Sequence, residues 1–266
     1  MTYTQFIVFF LAPAVLLGVV ILAARLHGAP PATRKRIRHG LVVTAVLVVV
    51  AVGYTMPWDR WLILNAVWSY PPGSVVGVIA SVPVEEYLFM IGQTVLAGCW
   101  TLVILREDDN RPVRSSRWPL AALAWILAAG GGAVWAVVSH RALYLGAILG
   151  WFGPLLALQS VVGADILRER RRSRLTALAL TPVLWAADAI AIHLGAWRLN
   201  PTLTVGLDPF GLPVEEALFF LVTTALVVNS IVLVTAPALR MRMTRWSGRL
   251  ADRREPTPVP DQGART

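Results

Sequence analysis

The sequence predicts an all-α, polytopic membrane protein with about seven transmembrane helices. Of its 266 residues, 56% are hydrophobic and 15% are charged, whereas a soluble domain has about 45–50% apolar and about 25% charged residues. Seven apolar stretches are present, most of them long enough to cross a hydrocarbon layer of about 30 Å as helices. The basic residues are concentrated in every second segment between these stretches. Together these features exclude a soluble domain.

The seven apolar stretches define the predicted helices. Because backbone polar groups in lipid must be hydrogen-bonded within the protein, helices are the expected structure of such runs. Pro57 interrupts the second run, so that helix either ends near Met56 or continues with a kink. A short link around Ser139 joins the fourth run to the fifth. The runs cover residues 3–24, 40–64, 83–105, 118–138, 142–163, 175–194 and 213–236.

The basic residues predict how the chain is oriented in the cell membrane. Segments 25–39, 106–117 and 168–174 and the C-terminal tail hold 21 of the 24 Lys and Arg residues. By the positive-inside rule these segments are cytoplasmic and the N-terminus is outside. The net charge of +9 then reflects topology and contact with anionic lipids, and we expect no nucleic-acid partner. The first run lacks the basic start of a cleavable signal peptide. The tail, 239–266, is expected to be disordered and cytoplasmic.

Two parts of the sequence repeat each other. The motif Pro-Val-Glu-Glu occurs at Pro83–Glu86 and again at Pro213–Glu216. Upstream of each motif, an aspartate stands nine residues before a tryptophan, and a glycine follows that tryptophan by nine. A shared tetrapeptide could arise by chance, but the shared order of Asp, Trp, Gly and the motif indicates a duplication. The upstream residues are Asp59, Trp68 and Gly77 in the first part and Asp188, Trp197 and Gly206 in the second.

The duplication predicts two three-helix repeats joined by a connector helix. The first repeat covers residues 1–105 and the second 142–238, with the fourth helix in the connector 106–141. A unit of three helices ends on the side opposite to its start, so the connector returns the chain and the two repeats run parallel. Sites on the axis between parallel repeats draw equivalent residues from both. Both Pro-Val-Glu-Glu motifs are therefore expected to face one central cavity.

The glutamates of the two motifs are the candidate catalytic residues: Glu85, Glu86, Glu215 and Glu216. Proline and acidic residues are common in the first turn of any helix, so each motif could simply start a helix at the interface. Ionisable residues in membrane helices are nevertheless functional candidates. A helix start also does not explain why adjacent acids occur twice in a chain with 15 acidic residues. Neighbouring helical residues differ by about 100° in direction, so the two members of a pair face differently.

Further residues are expected to support the glutamates or to line the cavity. Asp188 is a lone acid within an apolar run and Asp59 is its counterpart; the alternative role of Asp188 is a polar contact between helices, with His193 or Thr223. Several carboxyl groups in a medium of low dielectric constant would keep one acid protonated and another ionised. That pair could donate a proton to a hydrophobic substrate and remove another. Aromatic faces could stabilise a cationic intermediate, although interfacial anchoring is the ordinary role of membrane tryptophans. The remaining candidates are Trp68, Trp197, Phe89, Phe219 and Gln93.

Several classes of protein and site are excluded. Lys35 is the single lysine, so no span carries the lysine of a retinal Schiff base. The four histidines are scattered and Cys99 is the single cysteine, so we expect neither an intramolecular disulfide nor a multi-His or Cys-cluster metal site. Nucleotide-binding glycine motifs, HExxH and repeated Asp motifs for magnesium are absent, and Asp108-Asp109 fits a solvated turn. We therefore expect no metal and no cofactor.

The doubled Pro-x-Glu-Glu motif at helix starts, each preceded by Asp and Trp, resembles the small integral-membrane lycopene cyclases. These occur as two-subunit bacterial enzymes or as fused chains in archaea and fungi. This sequence is similar to a fused form, in which one subunit's part matches about 1–105 and the other about 142–236. The most specific matches are Pro83–Phe89 with Gln93-Thr94 and Pro213–Phe220; Thr223-Thr224 stands where the first half has Gln93-Thr94.

The resemblance implies an isomerase (an intramolecular lyase) of the lycopene cyclase type, which cyclises the linear ψ end groups of lycopene or a related carotenoid without net redox change. It implies that Glu85 and Glu215, with Glu86 and Glu216 beside them, supply acid and base, without telling which is which. The implied partners are a carotenoid within the bilayer, membrane lipids and other enzymes of carotenoid biosynthesis. A proton-coupled carrier built from parallel repeats and a non-catalytic carotenoid-binding subunit are the alternatives.

Overall fold

Helices dominate the chain, as the sequence predicts. The computed structural model describes residues 1–105 and 119–252, and seven helical segments within them are long and apolar enough to cross a membrane. The predicted Asp108-Asp109 turn, the basic residues around it and the tail beyond residue 252 lie outside the described residues.

The helices, in chain order, are α1 (Tyr3–Phe6), α2 (Ala12–Gly28), α3 (Pro31–Leu64), α4 (Val84–Ile104), α5 (Pro119–Val138), α6 (Leu143–Glu169), α7 (Arg171–Leu178), α8 (Thr181–His193), α9 (Val214–Val234) and α10 (Pro237–Asp252). A π-helical turn joins α1 to α2, and short 3-10 turns precede α6 and α9; these turns are Ile7–Leu11, His140–Ala142 and Pro209–Gly211. The strands have two residues each: β1 (Trp68–Ser69), β2 (Val78–Ile79), β3 (Val82–Pro83) and β4 (Arg198–Leu199).

The helix ends differ from the hydropathy boundaries in three places. Helix α3 starts at Pro31 rather than at residue 40, since Arg and Lys lower hydropathy while remaining good helix formers. Pro57 lies inside α3, so the helix continues through it. Helix α6 runs on to Glu169, with non-helical backbone at Gly163. The sixth run is divided into α7 and α8, because Pro182 stands in the first turn of a new helix.

The structure also differs from the expected disorder of residues 239–266, because residues up to Asp252 form α10. Two contacts explain why this basic segment is ordered. Leu239 packs against the hydrophobic core, and Arg242 forms an ion pair with Asp165 of α6. The helix therefore begins where the chain leaves the last span.

Helices α4 and α9 lie at the centre of the bundle. In each of them 56% of the most apolar 18-residue window is buried, against 11% in α5. They pack against each other; α2 and α3 flank α4, while α6, α7 and α8 flank α9. Helix α5 packs against α6 at the periphery. The two motif segments, which open α4 and α9, are therefore brought to the middle of the molecule.

The loops before α4 and α9 are bound together at one end of the bundle. Strands β1 and β4 pair in antiparallel register, with Trp68 opposite Leu199. The Ser74 hydroxyl donates to the carbonyl of Ala196 at 2.7 Å. Strands β2 and β3 form a separate antiparallel hairpin. These contacts hold the two loops together at the starts of both central helices.

Candidate active site

Both Pro-Val-Glu-Glu segments start a helix, as the sequence predicts. Pro83 and Pro213 take extended backbone angles and cap α4 and α9, and both glutamates of each motif lie in the first turn. In each motif a valine amide also donates to a carbonyl of the preceding loop: Val84 to Gly77 and Val214 to Leu207, both at 2.9 Å. All four glutamates are buried.

The first glutamate of each pair points toward its own loop. Glu85 accepts the backbone N–H of Val76 at 2.8 Å and the hydroxyl of Thr4 at 2.6 Å through Oε1. Glu215 accepts the backbone N–H of Val205 at 2.6 Å, again through Oε1. Neither residue lines the central cavity. These contacts tie each helix start to the loop that precedes it.

The second glutamate of each pair lines a small central cavity of about 40 Å³. The hydroxyl of Tyr70 donates to Oε1 of Glu86 at 2.6 Å, and the ring of Tyr3, which also lines the cavity, stacks on Tyr70. The hydroxyl of Tyr144 donates to Oε1 of Glu216 at 2.9 Å. The two glutamates thus share one cavity, and each accepts a tyrosine hydroxyl, Glu86 at the shorter distance.

Both predicted aspartates lie in the same cavity. Asp59 and Asp188 are 2% and 1% exposed, and Oδ2 of each accepts no hydrogen bond from the described residues. Both carboxyl groups are close enough to Glu86 and Glu216 to interact electrostatically. Since no Lys, Arg or His is among the described residues that line the cavity, four buried acids face each other without a cation. Burying four uncompensated negative charges together is very costly, so some of these carboxyl groups carry a proton.

Aromatic side chains complete the walls. Trp68 and Trp197 line the cavity rather than serving as surface anchors. Trp197 packs on Tyr3 with ring centroids 4.8 Å apart, and Trp68 packs on Tyr144 at 5.3 Å. The predicted Phe89 and Phe219 also line it, each with an edge-on ring contact to Phe220. The site therefore joins acids to an apolar, aromatic enclosure.

Gln93 lies deeper in the bundle than the acids and does not line their cavity. Its amide donates to the hydroxyl of Thr223 at 2.9 Å, which joins α4 to α9. Thr223 in turn donates to the carbonyl of Phe219, so the alternative contact between Thr223 and Asp188 is not formed. Gln93 acts here as a link between the two central helices.

The sequence interpretation missed the three tyrosines of the site. Tyr3 and Tyr144 occupy matching places at the start of the first and fifth spans, and the backbone N–H of each donates to the loop below, to Ser74 and Leu203 respectively. The sequence does contain a sign that these two tyrosines correspond, because each stands ten residues before a proline, Pro13 or Pro154. Tyr70 has no such counterpart. It is visible only once the loop is folded.

This arrangement can carry out proton transfer to and from an apolar molecule. A protonated and an ionised carboxyl group in one water-poor cavity supply both acid and base. Aromatic faces can stabilise a cation formed between them. Among residues 1–105 and 119–252, no three His, Cys, Asp or Glu side chains are grouped so as to hold a metal ion.

The chain is similar in sequence to several known proteins. The chain is 41% identical over 233 residues to a lycopene beta-cyclase of Halobacterium salinarum, which covers 86% of this chain and 94% of the relative. It is 35% identical over 198 residues to a bifunctional lycopene cyclase/phytoene synthase of Aspergillus niger, covering 70% of this chain and 34% of the relative. A protein of the same description from Neurospora crassa is 34% identical over 209 residues. No protein-family model matches the chain. No solved structure matches it either.

Proposed function

Because the chain belongs to the lycopene cyclase family and is a carotenoid cyclase, we propose that cyclisation takes place in the cavity between Glu86 and Glu216. One observation carries this assignment: of the four motif glutamates, these two line the cavity, beside Asp59 and Asp188. The site lies at the loop-rich end of the bundle, where the apolar helices can deliver a substrate dissolved in the bilayer.

The proposed reaction is an isomerisation. An acid protonates the terminal trisubstituted double bond of the ψ end group and leaves a tertiary cation. The next trisubstituted double bond attacks this cation, and the new carbon–carbon bond closes the ring. A base then removes a proton next to the displaced cation and restores a double bond. One proton enters and one leaves, so the reaction needs no electron acceptor and we expect no redox cofactor.

The tyrosine contacts distinguish the two glutamates. Glu86 accepts a 2.6 Å hydrogen bond from Tyr70, whereas Glu216 accepts a longer bond of 2.9 Å from Tyr144. A hydrogen bond donated to a carboxylate favours its ionised form, and the shorter bond favours it more. We therefore assign Glu86 as the base and Glu216 as the acid. Asp59 and Asp188 line the same cavity, where their carboxyl oxygens can face a cationic intermediate.

The aromatic walls suit a carbocation. Phe89, Phe219 and Phe220 line the cavity, and a ring face attracts a nearby cation by about 0.5–2 kcal/mol. A water-poor enclosure also prevents capture of the cation by solvent. Both effects act during the cyclisation step itself.

The names of the relatives support two finer points. The Halobacterium relatives are named lycopene beta-cyclases, which supports a β ring as the product here. The fungal relatives are named bifunctional lycopene cyclase/phytoene synthases, which supports a place for this chain beside other enzymes of carotenoid biosynthesis.

We also infer that the chain consists of two parallel three-helix repeats with α5 as connector. Support comes from contacts that recur at matching positions. Val76 donates to Glu85 as Val205 donates to Glu215, and the peripheral position of α5 suits a connector.

The basic residues support a cytoplasmic C-terminus. In this orientation the acid cavity is near the outer surface of the cell membrane.

The direct test is expression in bacteria that accumulate lycopene, followed by chromatography of the pigments. The wild-type chain should convert lycopene to a cyclic carotenoid. Glu86→Gln and Glu216→Gln should leave lycopene unchanged while inserting into the membrane normally. Glu169→Gln, at an exposed position at the end of α6, is the matched control and should be active.

The same experiment separates the alternatives. No finding favours a proton-coupled carrier. Unchanged lycopene beside well-expressed wild-type protein would contradict the cyclase proposal. Lycopene bound tightly to such an inactive protein would instead identify a carotenoid-binding subunit.

A further inference from the structure

Two lateral grooves flank the acid cavity on opposite sides of α4 and α9. The first lies between α2 and α8 and has a volume of about 300 Å³; we call it the apolar groove. The second lies between α3 and α6 and has a volume of about 240 Å³; we call it the polar groove. The two grooves have walls at corresponding positions of the sequence. Residues 11–18 of the first groove correspond to residues 152–159 of the second.

The apolar groove is lined by hydrocarbon and aromatic side chains, with no hydroxyl, amide or charged group among the described residues that form it. Leu17 and Val183 at its rim are 60% and 61% exposed, on the surface that faces lipid. Phe89 and Phe220, whose rings meet edge-on at 5.8 Å, line both this groove and the acid cavity. The groove thus extends from the bilayer to the pair of rings that borders the acid cavity.

The polar groove has hydrogen-bonded walls. The Gln159 amide donates to the carbonyl of Leu226 at 2.8 Å and to the hydroxyl of Ser230 at 2.9 Å. The Tyr54 hydroxyl donates to the carbonyl of Trp151 at 2.7 Å. These bonds fasten α6 to α9 and α3 to α6. An unsaturated hydrocarbon gains nothing from such groups and would have to displace their contacts.

Both grooves border the acid cavity, the polar groove through Met90, and one pair of residues differs between the two borders. Trp58 directly precedes Asp59, and Ala187 directly precedes Asp188. Trp58 is 3% exposed and stacks on Phe219 at 5.8 Å while meeting Phe152 at 5.1 Å, so it fills the space on the side of the polar groove. On the other side the short side chain of Ala187 lines the apolar groove.

We propose that the polyene chain of the carotenoid lies in the apolar groove, with its end group between Phe89 and Phe220 and the acids. This inference rests on the proposed function and names the route by which that site is filled. Small-molecule sites have volumes of about 300–1,000 Å³, so the groove holds the part of the chain next to the ring-forming end. The rest of the chain extends past Leu17 and Val183 into lipid.

Two substitutions fill the groove from opposite walls. Ala187→Trp introduces a tryptophan at the position that corresponds to Trp58, which fills the space on the side of the polar groove. Ala14→Phe adds a ring on α2, away from the carboxyl groups. Each has a matched control. Ala186→Trp puts the same side chain on the exposed face of α8, and Leu155→Phe adds a ring at the place in the polar groove that corresponds to Ala14.

Two readouts are measured for every variant: the rate of lycopene cyclisation, and the amount of lycopene retained on detergent-purified protein in the Glu86→Gln background. An added ring would occupy the space of the polyene. We therefore expect Ala187→Trp and Ala14→Phe to lower both readouts by about tenfold or more, which corresponds to about 1.4 kcal/mol. The two controls should stay close to their parents.

The outcomes separate this inference from the proposed function. If the wild type cyclises lycopene and both groove variants bind and cyclise it as well as their controls, the groove assignment is wrong. If Leu155→Phe is the variant that loses binding, the substrate lies in the polar groove. If the wild type forms no ring, the cyclase proposal fails, while retained lycopene still reports which groove is occupied.

Discussion

The hydroxyl of Tyr70 donates a 2.6 Å hydrogen bond to Oε1 of Glu86. Tyr70 comes from the loop before α4, two residues after the strand residue Trp68. The corresponding place in the second loop is held by Leu199, which has no donor to offer Glu216. Because of this bond, Glu86 and Glu216 differ chemically although they stand at the same position of the same motif.

Replacing Tyr70 with phenylalanine removes this donor from the proposed base. Hydrogen bonds to charged groups contribute about 1.5–3 kcal/mol, so we expect Tyr70→Phe to slow cyclisation about tenfold or more. Tyr87→Phe is the control, because the Tyr87 hydroxyl donates to the carbonyl of Ile79 at 3.3 Å, outside the acid cavity. Initial rates on lycopene in proteoliposomes measure the effect. Equal rates for the two variants would show that Tyr70 does not assist the base.

The pH dependence of the same rates tests the protonation state of Tyr70. Burial, with the nearby Glu86 adding to it, raises the pKa of Tyr70 well above its usual value. A phenol ordinarily ionises near pH 10; with a raised pKa, Tyr70 loses its proton only above that, and the donor survives below it. The wild type and Tyr70→Phe should therefore show the same relative change in rate between about pH 9 and pH 10. A fall in the cyclisation rate over this pH range in the wild type but not in Tyr70→Phe would contradict this expectation.

Glu85→Gln and Glu215→Gln test the other pair of glutamates, which the family resemblance also names as catalytic. Their Oε1 atoms accept backbone N–H groups of Val76 and Val205, and a glutamine oxygen can accept the same bonds. We expect both Gln variants to keep most of their turnover. Alanine at either position should lower stability by about 1–3 kcal/mol, because it leaves a buried N–H unpaired. Well-folded but inactive Gln variants would show that Glu85 and Glu215 take part in the chemistry.

The packing of α5 on α6 can be tested through two glycines of α5 and α6. A Cβ on Gly146 would lie 2.2 Å from the carbonyl oxygen of Gly132, whereas a Cβ on Gly131 would meet nothing within 4 Å. Close approach of membrane helices depends on such small residues. Gly146→Ala should therefore lower the free energy of unfolding in detergent by about 1–3 kcal/mol, while Gly131→Ala should not lower it. Similar stability for both would argue against tight packing at this contact.

Hydropathy alone predicted the number of spans, because each apolar run must satisfy its backbone as a helix. It did not predict where helices extend into water. The basic start of α3 at Pro31 and the helix α10 after the last span both depend on charged residues, whose helix propensity hydropathy does not measure. The break between α7 and α8 is set by Pro182 in the first turn of α8. A proline rule could have found it.

The candidate site was predictable where the sequence repeats itself. Glu86, Glu216, Asp59 and Asp188 share one cavity, as the duplicated pattern indicates. The different surroundings of Glu85 and Glu86 were not predictable, since helix geometry says that adjacent residues diverge but not which of them meets the loop. The role of Tyr70 depends on a loop conformation with no periodic signal in the sequence.

We propose that Glu216 donates a solvent-exchangeable proton to the end group and that Glu86 removes another. Mass spectrometry of the carotenoid after incubation with lycopene in D2O tests it most directly. The wild type should form a product with one deuterium for each ring. Glu86→Gln should return linear lycopene that has gained deuterium, because the acid can still protonate it and the cation can revert. Glu216→Gln should return lycopene without deuterium; rings formed by the wild type without any solvent deuterium would contradict the account.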